Sequence, residues 1–224
     1  MYEVVPAFAV PLVFAKMPDC EALNAELREL FLARAEDDRY RHPTPLVQRN
    51  EALFESNFRL FEWPQESVQR LRTFCLGMLY RAIGELNGYD IDTLKRLHVA
   101  TEAWFHIARR GGYFGAHTHP LHSWSGVYCV SHRSDDPNSE SGKLVMLNPL
   151  ALSASYLDMG IAQLKPPYGN AHRRYRLSPG DLVLFPSWLL HEVMPFEGDD
   201  PRITVAFNAR FQLEGAQRAE LPVG

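Results

Sequence analysis

Cysteine is scarce: the three present, Cys20, Cys75 and Cys129, stand far apart with no C-x-x-C pair. That spacing argues against a disulfide framework or a cysteine-bound zinc site and points to reduced thiols in a cytoplasmic setting. A surplus of positive charge is missing too. Lys and Arg number 23 against 27 Asp and Glu, a net charge of -4, and they are scattered rather than gathered into a stripe, so nucleic acid is not an expected partner. No membrane contact is expected either, because the one apolar run near the start, VVPAFAVPLVFA at 4–15, falls short of a bilayer span. It is broken by two prolines, lacks a basic leader, and reads as an edge strand. Repeats and low-complexity tracts are absent as well. What is there, 224 residues with 46% hydrophobic and 12% aromatic side chains, suffices to bury one sizeable core.

The expectation is therefore a single domain over residues 1–224, with an amino-terminal strand and supporting helices in 1–98 and a β core in 99–214. A homodimer is the candidate assembly. Asp19 is placed to cap a helix whose Leu23, Leu27, Leu30 and Phe31 recur at helical spacing. Pro64 can open a second helix with Val68, Leu71, Cys75, Met78, Leu79 and Leu86 on one side and Asn87-Gly88 at its end. DIDTLKRL suits a short helical turn.

From about Val99 the texture changes to short runs rich in Val, Ile, Phe, Tyr and Trp, separated by RRGG, SDDPNSESG, SPGD and EGDD. The expected strands are ATEAWFHIA, HSWSGVYCV, KLVML, RRYRL, DLVLF and RITVAFNARF. Their spacing predicts a mainly β chain with flanking helices, a sandwich or jelly roll with the helices on one face of two sheets. Loops at Ser131–Gly142 and Asn148–Asn170 are the expected determinants of ligand choice.

Three of the nine histidines crowd into FGAHTHPLHSWSGVYCV. On an extended strand residues i and i+2 point the same way, so His117 and His119 would present two imidazoles to one metal ion. A third, His191, follows the buried strand of SPGDLVLFPSWLLHEV after a short bend. Beyond it, Arg202, Thr204, Ala206 and Asn208 share one strand face, opposite Ile203, Val205 and Phe207. There a guanidinium and a hydroxyl could grip a carboxylate, and Asn208 could contact the same ligand or a neighbouring one. Arg202 could instead pair with Asp199 or Asp200 beside the turn. His122, His106, His132, His172, His98 and His42 read as ordinary histidines, and Trp124, Tyr128 and Trp188 as core aromatics.

The ordered elements HTH at 117–119, SGVY at 125–128, FPSWLLH at 185–191 and RITVAFN at 202–208 resemble the iron(II)- and 2-oxoglutarate-dependent oxygenase superfamily. The likeness is to a branch with H-x-H, S-G-V-Y, F-P-S-W-x-x-H and R-I-x-x-x-F-N in this order. It implies a cupin-like double-stranded β-helix in which His117 and His191 hold Fe(II) and Arg202, assisted by Thr204, binds 2-oxoglutarate. It also implies oxidation of a substrate coupled to decarboxylation of 2-oxoglutarate to succinate. The superfamily usually has Asp or Glu where this chain has His119. His119 itself, a carboxylate such as Glu192 or Glu102, or water are then the alternatives for the third ligand. Two competing readings use the same barrel: a cupin-like three-histidine metalloprotein without 2-oxoglutarate, and a non-catalytic barrel that binds a small acid.

Overall fold

The structure is a computed structural model that describes residues 1–44, 47–133, 136, 138–151 and 156–215. In chain order the elements are β1 (Val13–Lys16), α1 (Glu21–Ala35), β2 (Leu53–Glu55), α2 (Glu66–Asn87), α3 (Ile91–Lys95) and β3 (Leu97–Ala108). There follow β4 (Phe114–His117), β5 (Trp124–Ser131), β6 (Leu144–Met146), β7 (Arg173–Tyr175), β8 (Asp181–Pro186), β9 (His191–Val193) and β10 (Arg202–Leu213). The strands form a six-stranded sheet in the order β1-β8-β5-β10-β3-β2 and a four-stranded sheet in the order β4-β9-β6-β7, with antiparallel pairing. Two facing antiparallel sheets are the expected jelly-roll layering.

The larger sheet is covered on both faces, which explains why β10 is buried without a break from Arg202 to Ala209. One face meets the helices: Phe105, Ile203, Val205 and Phe207 pack with Leu27 and Phe31 of α1 and with Val68, Leu71, Cys75 and Leu79 of α2. The Phe31 and Phe105 rings stack at 4.3 Å between centroids. Tyr128 is buried in this layer and donates its hydroxyl proton to Asn24 Oδ1 at 2.8 Å. The other face looks toward the smaller sheet across Cys129, Leu144, Met146, Val183, Phe185 and Leu189. Gly126 of β5 allows the close approach on the helix side: a Cβ there would stand 2.4 Å from the Phe207 ring.

Several local expectations are corrected. Asp19 does not cap α1; it adopts φ 47° and the cap position falls to Cys20, whose side chain makes no capping hydrogen bond. Leu86 is exposed, so the buried stripe of α2 finishes through Ala82 and Ile83 before Gly88 closes the helix in the left-handed region. Of the 4–15 run only the last three residues are strand, in β1 (Val13–Lys16) at the sheet edge. Trp188 is exposed and not a core aromatic. β2 and β9 are strands of three residues each, too short to show a period in sequence. The short turn in DIDTLKRL is α3, capped by the Asp90 side chain, which accepts from Thr93 N.

Candidate active site

The residues singled out in sequence meet between the two sheets. His117 ends β4 and lies in direct register with His191, the first residue of β9. His119 sits two residues beyond the strand, and its direction is set by its backbone N–H donating to Ser187 O at 2.9 Å. One ligand atom from each of His117, His119 and His191 falls within 4.8 Å of the others. Neither Glu102 nor Glu192 joins this cluster among the described residues.

Hydrogen bonding prepares two of the imidazoles. His117 Nδ1 lies 2.8 Å from Gly115 O and His191 Nδ1 lies 2.8 Å from Leu189 O. A carbonyl can only accept, so each Nδ1 carries the proton and each Nε2 keeps a free lone pair, the tautomer a metal needs. His119 makes no ring hydrogen bond among the described residues, and its ring stands 4.8 Å from that of His117 and 5.2 Å from that of His191. Burial pushes His117 down to about 4. Burial and then the neighbouring imidazoles push His119 to about 2, and burial and then His117 push His191 to about 3. All three are neutral at neutral pH. Three neutral, mutually crowded imidazoles, two of them with their tautomer fixed, fit a divalent transition metal.

Arg202, the first residue of β10, is 3% exposed. The alternative of a surface ion pair fails, because Asp199 pairs with Arg110 and Asp200 with Arg28, the latter at 2.6 Å. No oxygen among the described residues accepts from the Arg202 guanidinium, and its Nε is buried and orphaned. Burial lowers its pKa from the ordinary arginine value. Gly142, at φ 63°, is what lets the chain pass it, since a Cβ there would lie 2.8 Å from Arg202 Cδ. His132, placed beside Arg202, has Nδ1 against Leu177 O at 3.1 Å, an unpartnered Nε2, and a pKa pushed down to about 4 by burial and by Arg202.

An inner cavity joins these groups: Arg202, Thr204 and Asn208 of β10 line it together with His117, His119 and His191. It holds about 30 Å³, room for one water, so a diacid entering it displaces lining side chains. An outer cavity of about 340 Å³ opens above it, and His117, His119, Trp104, Phe114 and Asn208 line both. The described residues of Ser131–Gly142 and Asn148–Asn170 line neither, contrary to the expectation from loop length. The outer cavity is lined instead by Val47, Glu55 and Phe58 and by residues of the 117–122 segment.

Strand parity could have found what the sequence reading passed over. Glu102, Trp104 and His106 alternate on β3 and pair across the ladder with Asn208, Ala206 and Thr204. His106 Nε2 lies 2.9 Å from Glu55 Oε2, and Arg49 Nη1 lies 3.2 Å from Glu55 Oε1. Burial works to raise the Glu55 pKa, but the hydrogen bond and charge of His106 and the charge of Arg49 outweigh it and hold the carboxyl below its usual value. His122 stays outside the metal cluster, with Nδ1 3.2 Å from Pro120 O.

The family profile described as "Putative 2OG-Fe(II) oxygenase" matches residues 102–208, the span that runs from Glu102 to Asn208 and holds all three histidines and Arg202. The matched span, a little under half of the chain, is similar to this 2OG-Fe(II) oxygenase family. On that match the protein is an oxidoreductase of the kind that uses iron and 2-oxoglutarate (2OG). A prolyl-4-hydroxylase of Pseudomonas putida superposes with a TM-score of 0.59 at 16% identity, over 90% of this chain and 92% of that one. A prolyl hydroxylase from Trichoplax adhaerens, in complex with a hypoxia inducible factor peptide fragment, gives 0.61 at 13% identity over 88% and 82%. HygX from Streptomyces hygroscopicus, with nickel and 2-oxoglutarate bound, gives 0.56 at 10% identity over 90% and 83%. These likenesses establish the double-stranded β-helix shared with this 2OG-Fe(II) oxygenase family. No curated protein matches the chain.

Proposed function

We propose that this 2OG-Fe(II) oxygenase holds iron through His117, His119 and His191 and anchors the distal carboxylate of 2OG on Arg202, with Thr204 beside it. Bound iron supplies the redox chemistry that couples decarboxylation of 2OG to succinate with oxidation of a C–H bond. The orphaned Arg202 guanidinium carries this reading. A buried cation without a counter-ion is costly, and a carboxylate that answers it with two charge-assisted bonds removes the cost. Thr204, 2% exposed and one pair along the same face, can donate its hydroxyl to the same carboxylate.

The Nδ1 bonds of His117 and His191 leave their Nε2 atoms for the metal, and one ligand atom from each of the three histidines lies within 4.8 Å of the others, which supports this ligand set. A third imidazole in place of a carboxylate leaves the centre one unit more positive than a two-histidine, one-carboxylate site. That donor set alone also suits a cupin-like metalloprotein, but such a protein has no use for a buried arginine facing the same cavity.

The three cysteines are free and buried, which supports a reducing, cytoplasmic setting. No helix among the described residues is long and apolar enough to cross a membrane. The deciding experiment titrates 2OG into anaerobic protein loaded with ferrous iron. A saturable visible charge-transfer band is expected; bound iron without a band would shift the assignment to the cupin-like reading.

A further inference from the structure

The outer cavity differs in charge from the inner one. Glu55 and Glu102 line it, and among the described residues no lysine or arginine does. Glu55 is already answered by Arg49 and His106. Glu102 is not: its side chain is 52% exposed, and the one ion-pair partner it has among the described residues is His122, with Nε2 at 3.7 Å, too far for a hydrogen bond.

Directly across the ladder from Glu102 stands Asn208, 4% exposed and part of both cavity walls. The structure sets its amide oxygen against Ser125. Ser125 Oγ has a single proton and gives it to Asn208 Oδ1 at 2.8 Å. Ser187 Oγ, also 2.8 Å from Ser125 Oγ, must therefore be the donor in that second bond. Ser187 to Ser125 to Asn208 is a one-way chain that occupies the amide oxygen. The Asn208 NH₂ makes no hydrogen bond among the described residues and is the end left for the cavity. A free carboxylate and a free amide donor thus stand as cross-strand neighbours, with Cβ atoms about 5 Å apart by strand geometry. The Trp104 and Phe58 rings, 4.7 Å apart between centroids, form the adjoining apolar wall.

The inner face of β10 runs from Arg202 in the interior to Asn208 near the mouth, about 20 Å at strand rise. Its cationic end suits an anion, and the Glu102 end suits a cation.

We propose that the prime substrate bears an amine, seating an ammonium on Glu102 against the Trp104–Phe58 wall and placing a neighbouring carbonyl or hydroxyl oxygen on the Asn208 NH₂. The word substrate rests on the oxygenase reading; the binding preference rests on the cavity alone. Glu102 accepts from the nitrogen, Asn208 donates to the oxygen, and the aromatic wall takes the apolar part of the molecule. An anionic substrate is rejected by Glu102, which also keeps 2OG from lodging in the wrong chamber.

Three probes test this by calorimetric titration of anaerobic protein holding iron and 2OG. L-Leucinamide carries an ammonium beside a carbonyl, N-acetyl-L-leucinamide lacks the charge, and 4-methylpentanoate replaces it with an anion. L-Leucinamide is expected to bind at least tenfold more tightly than 4-methylpentanoate, about 1.4 kcal/mol. Glu102→Gln, at a half-exposed position that tolerates change, should bring that ratio within about threefold, and Asn208→Leu should weaken both carbonyl-bearing probes. Equal binding of the anion, an unchanged ratio in Glu102→Gln, or binding of none of the probes would overturn the inference. The wild-type charge-transfer band with 2OG is recorded separately. Its presence without an amine preference sinks only this inference, whereas its absence sinks the oxygenase reading whatever the probes do.

Discussion

Arg202→Met separates what the guanidinium does for the fold from what it does for 2OG. Methionine keeps much of the side-chain volume but removes a charge that is 3% exposed and has no acceptor among the described residues. Replacing buried charge by apolar volume is worth about 1–4 kcal/mol of added stability. For a chain of this size each kcal/mol moves Tm by roughly 2–4 °C, so the ligand-free variant should melt several degrees above the wild type. Binding of 2OG should move the other way. Two charge-assisted hydrogen bonds at about 1.5–3 kcal/mol each correspond to a loss of affinity on the order of 10²–10⁴. Thermal denaturation of metal-free protein gives the first number and anaerobic 2OG titration of ferrous protein gives the second. A variant that melts below the wild type would refute the account of an unpaired buried charge. A variant that binds 2OG within about threefold of the wild type would refute the cosubstrate assignment.

His117→Ala and His191→Ala should each abolish stoichiometric iron, measured by metal analysis after gel filtration, and His119→Ala should weaken it at least about tenfold; full retention in His119→Ala would return the third position to water. Metal-free protein should lose stability as pH falls from about 6.5 toward 4. The depressed His132 resists protonation that the unfolded chain accepts below the ordinary histidine pKa, worth roughly 3 kcal/mol once pH reaches the folded value. No such effect operates above pH 6.5, where both states are neutral, and urea titrations at several pH values would expose a flat profile if the burial argument is wrong. Gly126→Ala should cost about 1–3 kcal/mol, because the added Cβ meets the Phe207 ring at 2.4 Å and Leu184 at 2.9 Å; a denaturant midpoint equal to that of the wild type would contradict the close approach.

The order of the histidines and the arginine is legible in the chain because each is tied to a local period. H-x-H needs only strand alternation, and the faces of β10 follow from parity, so residue order alone puts Arg202, Thr204 and Asn208 on one side. Both helices are equally plain from their 3.6-residue spacing, although Asp19 shows how a capping residue can be named one position away from the turn that forms. Sequence spacing could not say that His117 and His191 sit opposite each other in register, because β9 is three residues long and its pairing is fixed by the fold of the whole barrel. Nor could it discard Asp199 and Asp200 as partners of Arg202; only the positions of Arg28 and Arg110 did that. The meeting of Glu102 with Asn208, and the serine chain that turns the Asn208 amide, join residues 62 to 106 positions apart. Local periodicity determined which side chains face inward, and cross-strand pairing, a non-local property paid for by the packed core, decided which of them meet.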